Sequence, residues 1–335
     1  MIRLILCFAL FVLPATALPA SAAEELDILR AAAANNGRIL FWRGRLKPAR
    51  LHDHLAYLSQ QKVPIISLEH LFGATVIPTP DQNSLPDRAA VLVFDLPLDQ
   101  FEELVWPKLR KAKWPATLLI DPAMVEPNSA TLQLARLQKS GISIGLKLPR
   151  KTTMAEAKQR VELFRRLAKR SPIVLLQGEG IRGYGTTTKG LGTLPVLTTD
   201  NGVVEPTTPR NAVPSFVVSH IHAESKRFAV IIDTLPLPVS GVTPDNRILA
   251  TTSVNPPAFG FTIAVGLEDR LGDMTCRSTG NNKTSYERLG PYRIEVRLAR
   301  RFSPGLHRID CLVPVCSTCK RPRWRWFGVR FQVER

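Results

Sequence analysis

Ala90-Val91-Leu92-Val93-Phe94 is an unbroken apolar, partly β-branched run, the kind that lies buried on both faces in a parallel sheet, and it ends on an acid, Asp95. Asp99 with Glu102 carries a capping signal. Phe101, Leu104, Val105, Leu109 and Ala112 then recur at helical spacing, with Pro107 expected to kink the helix. Pro115 closes that helix, and Ala116 to Ile120 opens the next strand. The same alternation recurs on either side. Arg38 to Arg43, Val63 to Leu68, Ile142 to Leu148, Ile173 to Leu176 and Leu194 to Thr198 read as strands, as does the segment Val217 to His222. Leu26 to Ala34, Ala49 to Gln60, Thr131 to Lys139 and the stretch opened by Thr153 and Glu156 read as helices. Strands alternating with helices predict an α/β fold whose chemistry sits at the carboxyl ends of the strands, where Asp95 lies.

Past Asp233 the helical period disappears. Leu235 to Pro244 is rich in Pro, with Gly and Ser, and reads as a domain boundary. The short segments Thr251 to Val254, Phe261 to Val265, Tyr292 to Leu298, Leu306 to Val313 and Trp324 to Val333 follow at the spacing of a β-sandwich. Within Arg323-Trp324-Arg325-Trp326-Phe327, the two tryptophans point to one face of a strand, and Phe327, Val329 and Phe331 to the other. Two readings stand. Trp324 and Trp326 form an exposed platform for sugar rings, or they are core and Gly328 marks a bulge that resets the register.

Residues 1–22 have one early charge, Arg3, an apolar run from Leu4 to Leu13 and a small-residue end at Ala20-Ser21-Ala22, the pattern of a secretory signal peptide. No later stretch is long enough to span a bilayer. The expected organisation is therefore a leader (1–22), an α/β domain (23–238) and a basic β-sandwich (239–335), exported to the periplasm or outside the cell. Cys276, Cys311, Cys316 and Cys319 then read as disulfide formers, with Cys276 to Cys311 and Cys316 to Cys319 the favoured pairing and a zinc site on the last pair the sharper alternative. The net charge is +17, and residues 291–335 hold eleven Lys or Arg against three acids. Such a balance points to an anionic envelope polymer or lipid, or to a solvated basic face, and export argues against nucleic acid.

The stretch around Asp95 resembles the first motif region of the polysaccharide deacetylases, the NodB homology family. There, a Thr-Phe-Asp-Asp-Gly strand end is followed by a helix and an Ala-Thr-Phe-Phe strand. Val93-Phe94-Asp95-Leu96-Pro97 and Ala116-Thr117-Leu118-Leu119 stand at those places. Gly141-Ile142-Ser143-Ile144-Gly145 resembles the family's Gly-His-Glu-Ile-Gly strand start, Ile181-Arg182-Gly183-Tyr184-Gly185 its Arg-Pro-Pro-Tyr-Gly loop, and the strand up to His220 or His222 its last Leu-x-x-His motif. The resemblance covers about Arg38 to His222. It implies a distorted or incomplete (β/α) barrel, with Asp95 as general base, His220 or His222 as acid, and Lys147, Lys151 and Arg182 lining the substrate site.

The family's metal ligands are one Asp and two His. Their positions hold Leu96, Lys147 and Lys151. Leucine has no donor atom, and lysine is protonated at neutral pH, so no metal or other cofactor is expected there. Asp95 is expected to pair with Lys147 or Lys151 instead. The leading reading is an exported glycan-binding protein without metal catalysis. A deacetylase with zinc on relocated ligands (His220, His222 and Asp95) and an envelope docking protein are the alternatives. His52-Asp53-His54 is read as surface, because positions i and i+2 of a helix face different ways.

Overall fold

A computed structural model of the chain describes residues 35–44, 47–76, 85–149, 152–177, 194–206, 208–244, 248–250, 258–263, 268–279, 283–316 and 323–334. The apolar runs become seven parallel strands: β1 (Arg38–Arg43), β2 (Ala90–Asp95), β3 (Ala116–Ile120), β4 (Ile142–Leu148), β5 (Leu175–Gln177), β6 (Val196–Leu197) and β7 (Phe216–Val217). Their order is β6-β5-β4-β3-β2-β1-β7. The edges curl toward each other and meet just before β7. Val213 donates its N–H to Val196 O at 2.8 Å and accepts from Thr198 N at 2.7 Å. The result is a distorted (β/α) barrel, irregular where β6 and β7 join.

Side-chain alternation explains why these runs are mostly apolar at both sets of alternate positions. Ile39, Phe41, Val91, Val93, Leu119, Leu176 and Leu197 fill an inner core. Leu40, Trp42, Leu92, Phe94, Leu118, Ile144 and Leu146 pack outward under the helices. Gly145 is required on the inner face, since a Cβ there would lie 2.6 Å from Leu119 and 2.7 Å from Val174.

Among the described residues six helices flank the strands: α1 (Pro48–Gln60), α2 (Leu68–Val76), α3 (98–112), α4 (Pro127–Lys139), α5 (Met154–Ala168) and α6 (Ser225–Ile232). Thr153 and Glu156 form the expected capping box of α5. In α3, Pro107 produces no simple kink. Phe101–Val105 is a π-helical turn closed by Trp106 N–H on Phe101 O, and Pro107 falls in the first turn of the α-helical segment that restarts at Trp106. A missing N–H costs nothing there. Other expectations shift. Val63 to Leu68 contributes a single bridge at Ile65 rather than a strand. Val217 to His222 is strand only at its start, and His220–Ala223 coils into a 3-10 turn. Residues 26–34 and 251–254 lie outside the described residues.

The rest of the chain makes two further sheets. One has the order β10-β16-β15-β12, with β8 also on β16, and the other the order β13-β14-β11-β9. They comprise β8 (Thr234–Pro236), β9 (Val239–Thr243), β10 (Ile248–Ala250), β11 (Ala258–Ile263), β12 (Thr275–Ser278), β13 (Thr284–Arg288), β14 (Arg293–Leu298), β15 (Gly305–Cys316) and β16 (Arg323–Glu334). The Pro-rich stretch from Leu235 to Pro244, read as a domain boundary, contains most of β8 and all of β9. Ile294, Val296, Phe259, Phe261, Cys311, Val329 and Phe331 form the core between the sheets, so β14 alternates as expected. Cys276 and Cys311 are disulfide-bonded across β12 and β15. Cys319 and the side chain of Cys316 lie outside the described residues.

Both faces of β16 are buried. Val329, Phe331 and Val333 enter the sandwich core, whereas Trp326 joins the outer layer of the barrel and meets the Phe216 ring at 5.0 Å. Trp324 packs against the same layer, partly buried. Arg38, fully buried on β1, donates to Thr234 O of β8 and so ties the barrel to that strand.

Candidate functional site

The carboxyl ends of β1, β2 and β4 place Arg43, Asp95 and Lys147 at one mouth of the barrel. Strand alternation brings them together, because Phe41, Val93 and Gly145, each two residues earlier, face the inner core. Lys147 Nζ donates to Asp95 Oδ1 at 2.6 Å, and Arg43 Nε lies 3.9 Å from Asp95 Oδ2. The ion pair expected for Asp95 therefore forms with Lys147. Asp95 is 8% exposed, whereas the Lys147 side chain is 38% exposed and reaches solvent. Leu96 is buried.

These groups open into a cleft of about 840 Å³ between the mouth and α4. Pro97, Leu98, Met124 and Val125 give it apolar walls, while Gln100, Ser129, Gln133 and Asp121 supply polar groups. Asp121 is fixed by Arg160 and by Ala123 N–H at 3.1 Å. A cleft of mixed apolar and hydrogen-bonding character suits a sugar, whose ring faces are apolar and whose rim is hydroxylated.

A divalent cation does not fit the donor set at this mouth. An ammonium already occupies the near oxygen of Asp95, and Leu96 offers nothing to coordinate. Among the described residues, no three His, Cys, Asp or Glu side chains come together to hold an ion. Lys151, Arg182 and the side chain of His220 lie outside the described residues.

The asymmetry of the ion pair predicts the effect of breaking it. Lys147→Met leaves a nearly buried carboxylate with Arg43 as its one cation within 4 Å among the described residues and is expected to cost about 2 kcal/mol of stability. Asp95→Ala releases a lysine that can turn to water and is expected to cost about half as much, roughly 1 kcal/mol. Urea unfolding measures both, and equal stability of Lys147→Met and the parent would contradict the pairing.

His222 lines a second recess, of about 400 Å³, between the barrel and the sandwich, and Arg43 lines both recesses. It is 3% exposed. Asn201 Nδ2 lies 3.1 Å and Arg308 Nη2 3.4 Å from His222 Nε2. Both neighbours can only donate, which assigns the ring proton to Nδ1. Asn201 Nδ2 also donates to Asp310 Oδ1 at 3.0 Å. Asp310 accepts further from Arg308 Nε at 3.0 Å and Trp326 Nε1 at 3.1 Å. Arg330 Nε donates to Asp200 Oδ1 at 2.6 Å. His222 is thus held by groups of the seam, and it lines a different recess from Asp95.

Burial, reinforced by the positive charges of Arg308 and Arg227, lowers the His222 pKa from 6.5 to about 3. The folded ring stays neutral while the unfolded one takes up a proton below pH 6.5. Stability is therefore lost as pH falls through that value, by about 2 kcal/mol at pH 5. The slope should shrink in His222→Gln, and a parent stability that is flat from pH 7 to pH 5 would contradict the burial. His54 shifts in the same direction through burial.

Trp326 is 2% exposed, with the Arg227 guanidinium 4.4 Å from its ring centroid, so the exposed tryptophan platform does not form. Nor is there a bulge at Gly328: the register of β15 and β16 runs unbroken through it and shifts only between Pro314 and Cys316. Gly328 is there because Asn201 O would meet a Cβ at 2.3 Å. His54 is not on the surface either. It is buried, its Nε2–H donates to Ala223 O at 3.0 Å and its ring stacks on Phe228 at 4.3 Å. Sequence reasoning missed Arg43, Asn201, Arg308 and Asp310 altogether.

No family model and no curated relative matches the chain. Among solved structures, it is similar to a Streptococcus pyogenes deacetylase, PplD, in complex with acetate. The identity is 17%, with 55% of this chain and 92% of that one covered and a TM-score of 0.46. It is also similar to the deacetylase domain of BpsB from Bordetella bronchiseptica (13% identity, 55% and 96% covered, TM-score 0.45) and to IcaB from Ammonifex degensii (15%, 59% and 97%, TM-score 0.46). At these identities and scores no activity passes to this chain by likeness.

Proposed function

We propose that this chain is an exported envelope protein that binds a glycan in the cleft at the barrel mouth, with the Lys147–Asp95 pair standing where its resemblance to polysaccharide deacetylases calls for a metal. The observation that carries this reading is the 2.6 Å contact between the Lys147 ammonium and Asp95 at the head of an 840 Å³ cleft. Lys147 keeps further N–H donors for a hydroxyl or acetyl oxygen of a sugar, and Asp95 orients it. Pro97, Leu98 and Met124 offer surface to the sugar's apolar face. Export is supported by the leader pattern of residues 1–22 and by the Cys276–Cys311 disulfide, which suits an oxidising compartment.

The test is acetate release by the mature protein from N- and O-acetylated polysaccharides, with zinc or cobalt added and a chelator as control, alongside calorimetric binding of an N-acetylglucosamine oligomer. No chelator-sensitive release, with oligomer binding abolished by Lys147→Glu, is expected. Chelator-sensitive release of acetate would overturn the reading.

A further inference from the structure

The recess at the seam is built differently from the cleft. Arg43, Arg308 and Arg330 line it, and among the described residues its lining holds no carboxylate. Asp310 and Asp200 are spent from behind: the first accepts from Arg308, Trp326 and Asn201, the second from Arg330. They fix the arginines in place and leave the opening itself cationic. His222, whose proton the two donors on Nε2 force onto Nδ1, adds an N–H that is buried and has no partner among the described residues. A buried donor that finds no protein acceptor among the described residues, in a lining with three guanidinium groups, favours an acceptor that carries negative charge. Arg43 belongs to the lining of both recesses, so a chain molecule lying along the mouth can reach the seam without leaving the protein.

We infer that the seam recess is a subsite for an anionic group, a carboxylate or a phosphate, on the glycan that the barrel mouth binds, with Arg308 and His222 Nδ1–H as its donors and Arg43 as the link between the two recesses. This rests on the glycan-binding reading and narrows it to an acidic polymer. The overall charge of +17 favours approach of such a polymer from a distance, whereas the recess reads the individual charged substituent.

The test compares three probes on the mature protein by calorimetry: an oligogalacturonate, an oligo(glycerol phosphate) and a neutral N-acetylglucosamine oligomer. One of the two acidic probes is expected to bind about tenfold or more tightly than the neutral one, and which of them does so separates carboxylate from phosphate. That preference should fall toward one in Arg308→Gln. It should fall likewise in Ser219→Glu, which puts a carboxylate into the recess beside Arg308 without removing any seam contact of Asp310. Thermal melts confirm that each variant is folded. Equal binding of acidic and neutral probes, or a preference that survives in both variants, would overturn the subsite while leaving the mouth reading standing on its Lys147→Glu result. Failure of all three probes to bind would overturn both.

Discussion

Asp310→Ala is expected to cost about 3 to 5 kcal/mol of folding stability, the loss that follows when one partner of a buried charged pair is removed. The Asp310 side chain is 10% exposed and accepts hydrogen bonds from three separate elements, through Arg308, Trp326 and Asn201. Truncation leaves the Trp326 N–H and an Asn201 N–H without an acceptor, and Arg308 without its counter-charge near Arg227. Asp310→Asn keeps an oxygen for Trp326 but presents an amine to one of the other donors, so its loss should fall between the parent and the alanine variant. Urea unfolding followed by tryptophan fluorescence reads the change directly. A loss below about 1 kcal/mol for Asp310→Ala would mean that the carboxylate is solvated and the seam is open.

The second large effect is expected at Gly328. A Cβ there would stand 2.3 Å from Asn201 O and 2.9 Å from Asp310 Oδ1. The first of these atoms is backbone and the second is held by Asn201 and Trp326, so neither can swing aside as a flexible side-chain end would. Gly328→Ala should therefore push the two units apart or bend β16, at about 3 kcal/mol, near the upper end of the usual range for overpacking. A fall in the concentration of urea at half-unfolding, together with increased protease sensitivity near Asn201, is the expected outcome. An alanine variant as stable as the parent would show that β16 does not press against that backbone.

The strands that frame the barrel were legible because burial on both faces leaves a continuous apolar signature. Arg38–Arg43, Ala116–Ile120 and Ile142–Leu148 were read to the residue. The resemblance that sets Lys147 and Lys151 at ligand positions made a pairing of Asp95 with one of them foreseeable, and strand alternation in the fold selects Lys147. The seam was not legible. Asn201, Asp310 and Gly328 are far apart in the chain, and each has an ordinary local explanation: a turn asparagine, a polar residue of a strand, a bulge glycine. Only tertiary contact makes them one constellation. The tryptophans were half legible for the same reason: of the two readings the buried one holds for Trp326, without the bulge at Gly328 that went with it. A strand with apolar residues on both faces was read as having one face in water, because the barrel that covers Trp326 cannot be inferred from the sandwich pattern. The 3-10 turn at His220–Ala223 undid the paired-histidine geometry, since a two-residue spacing shares a face only in an extended chain.

The placement of Trp326 also bears on how the protein is made. The outer layer of the barrel, formed around Phe216 and the helices, is completed by Leu312 and Trp326, which leave the ribosome long after the barrel strands themselves. Until β15 and β16 arrive, the barrel must carry an open apolar flank and the Asn201 amide must wait without Asp310. A nascent or truncated chain lacking those strands should therefore be a client for holding chaperones, and the barrel should close its flank only once β15 and β16 have been made.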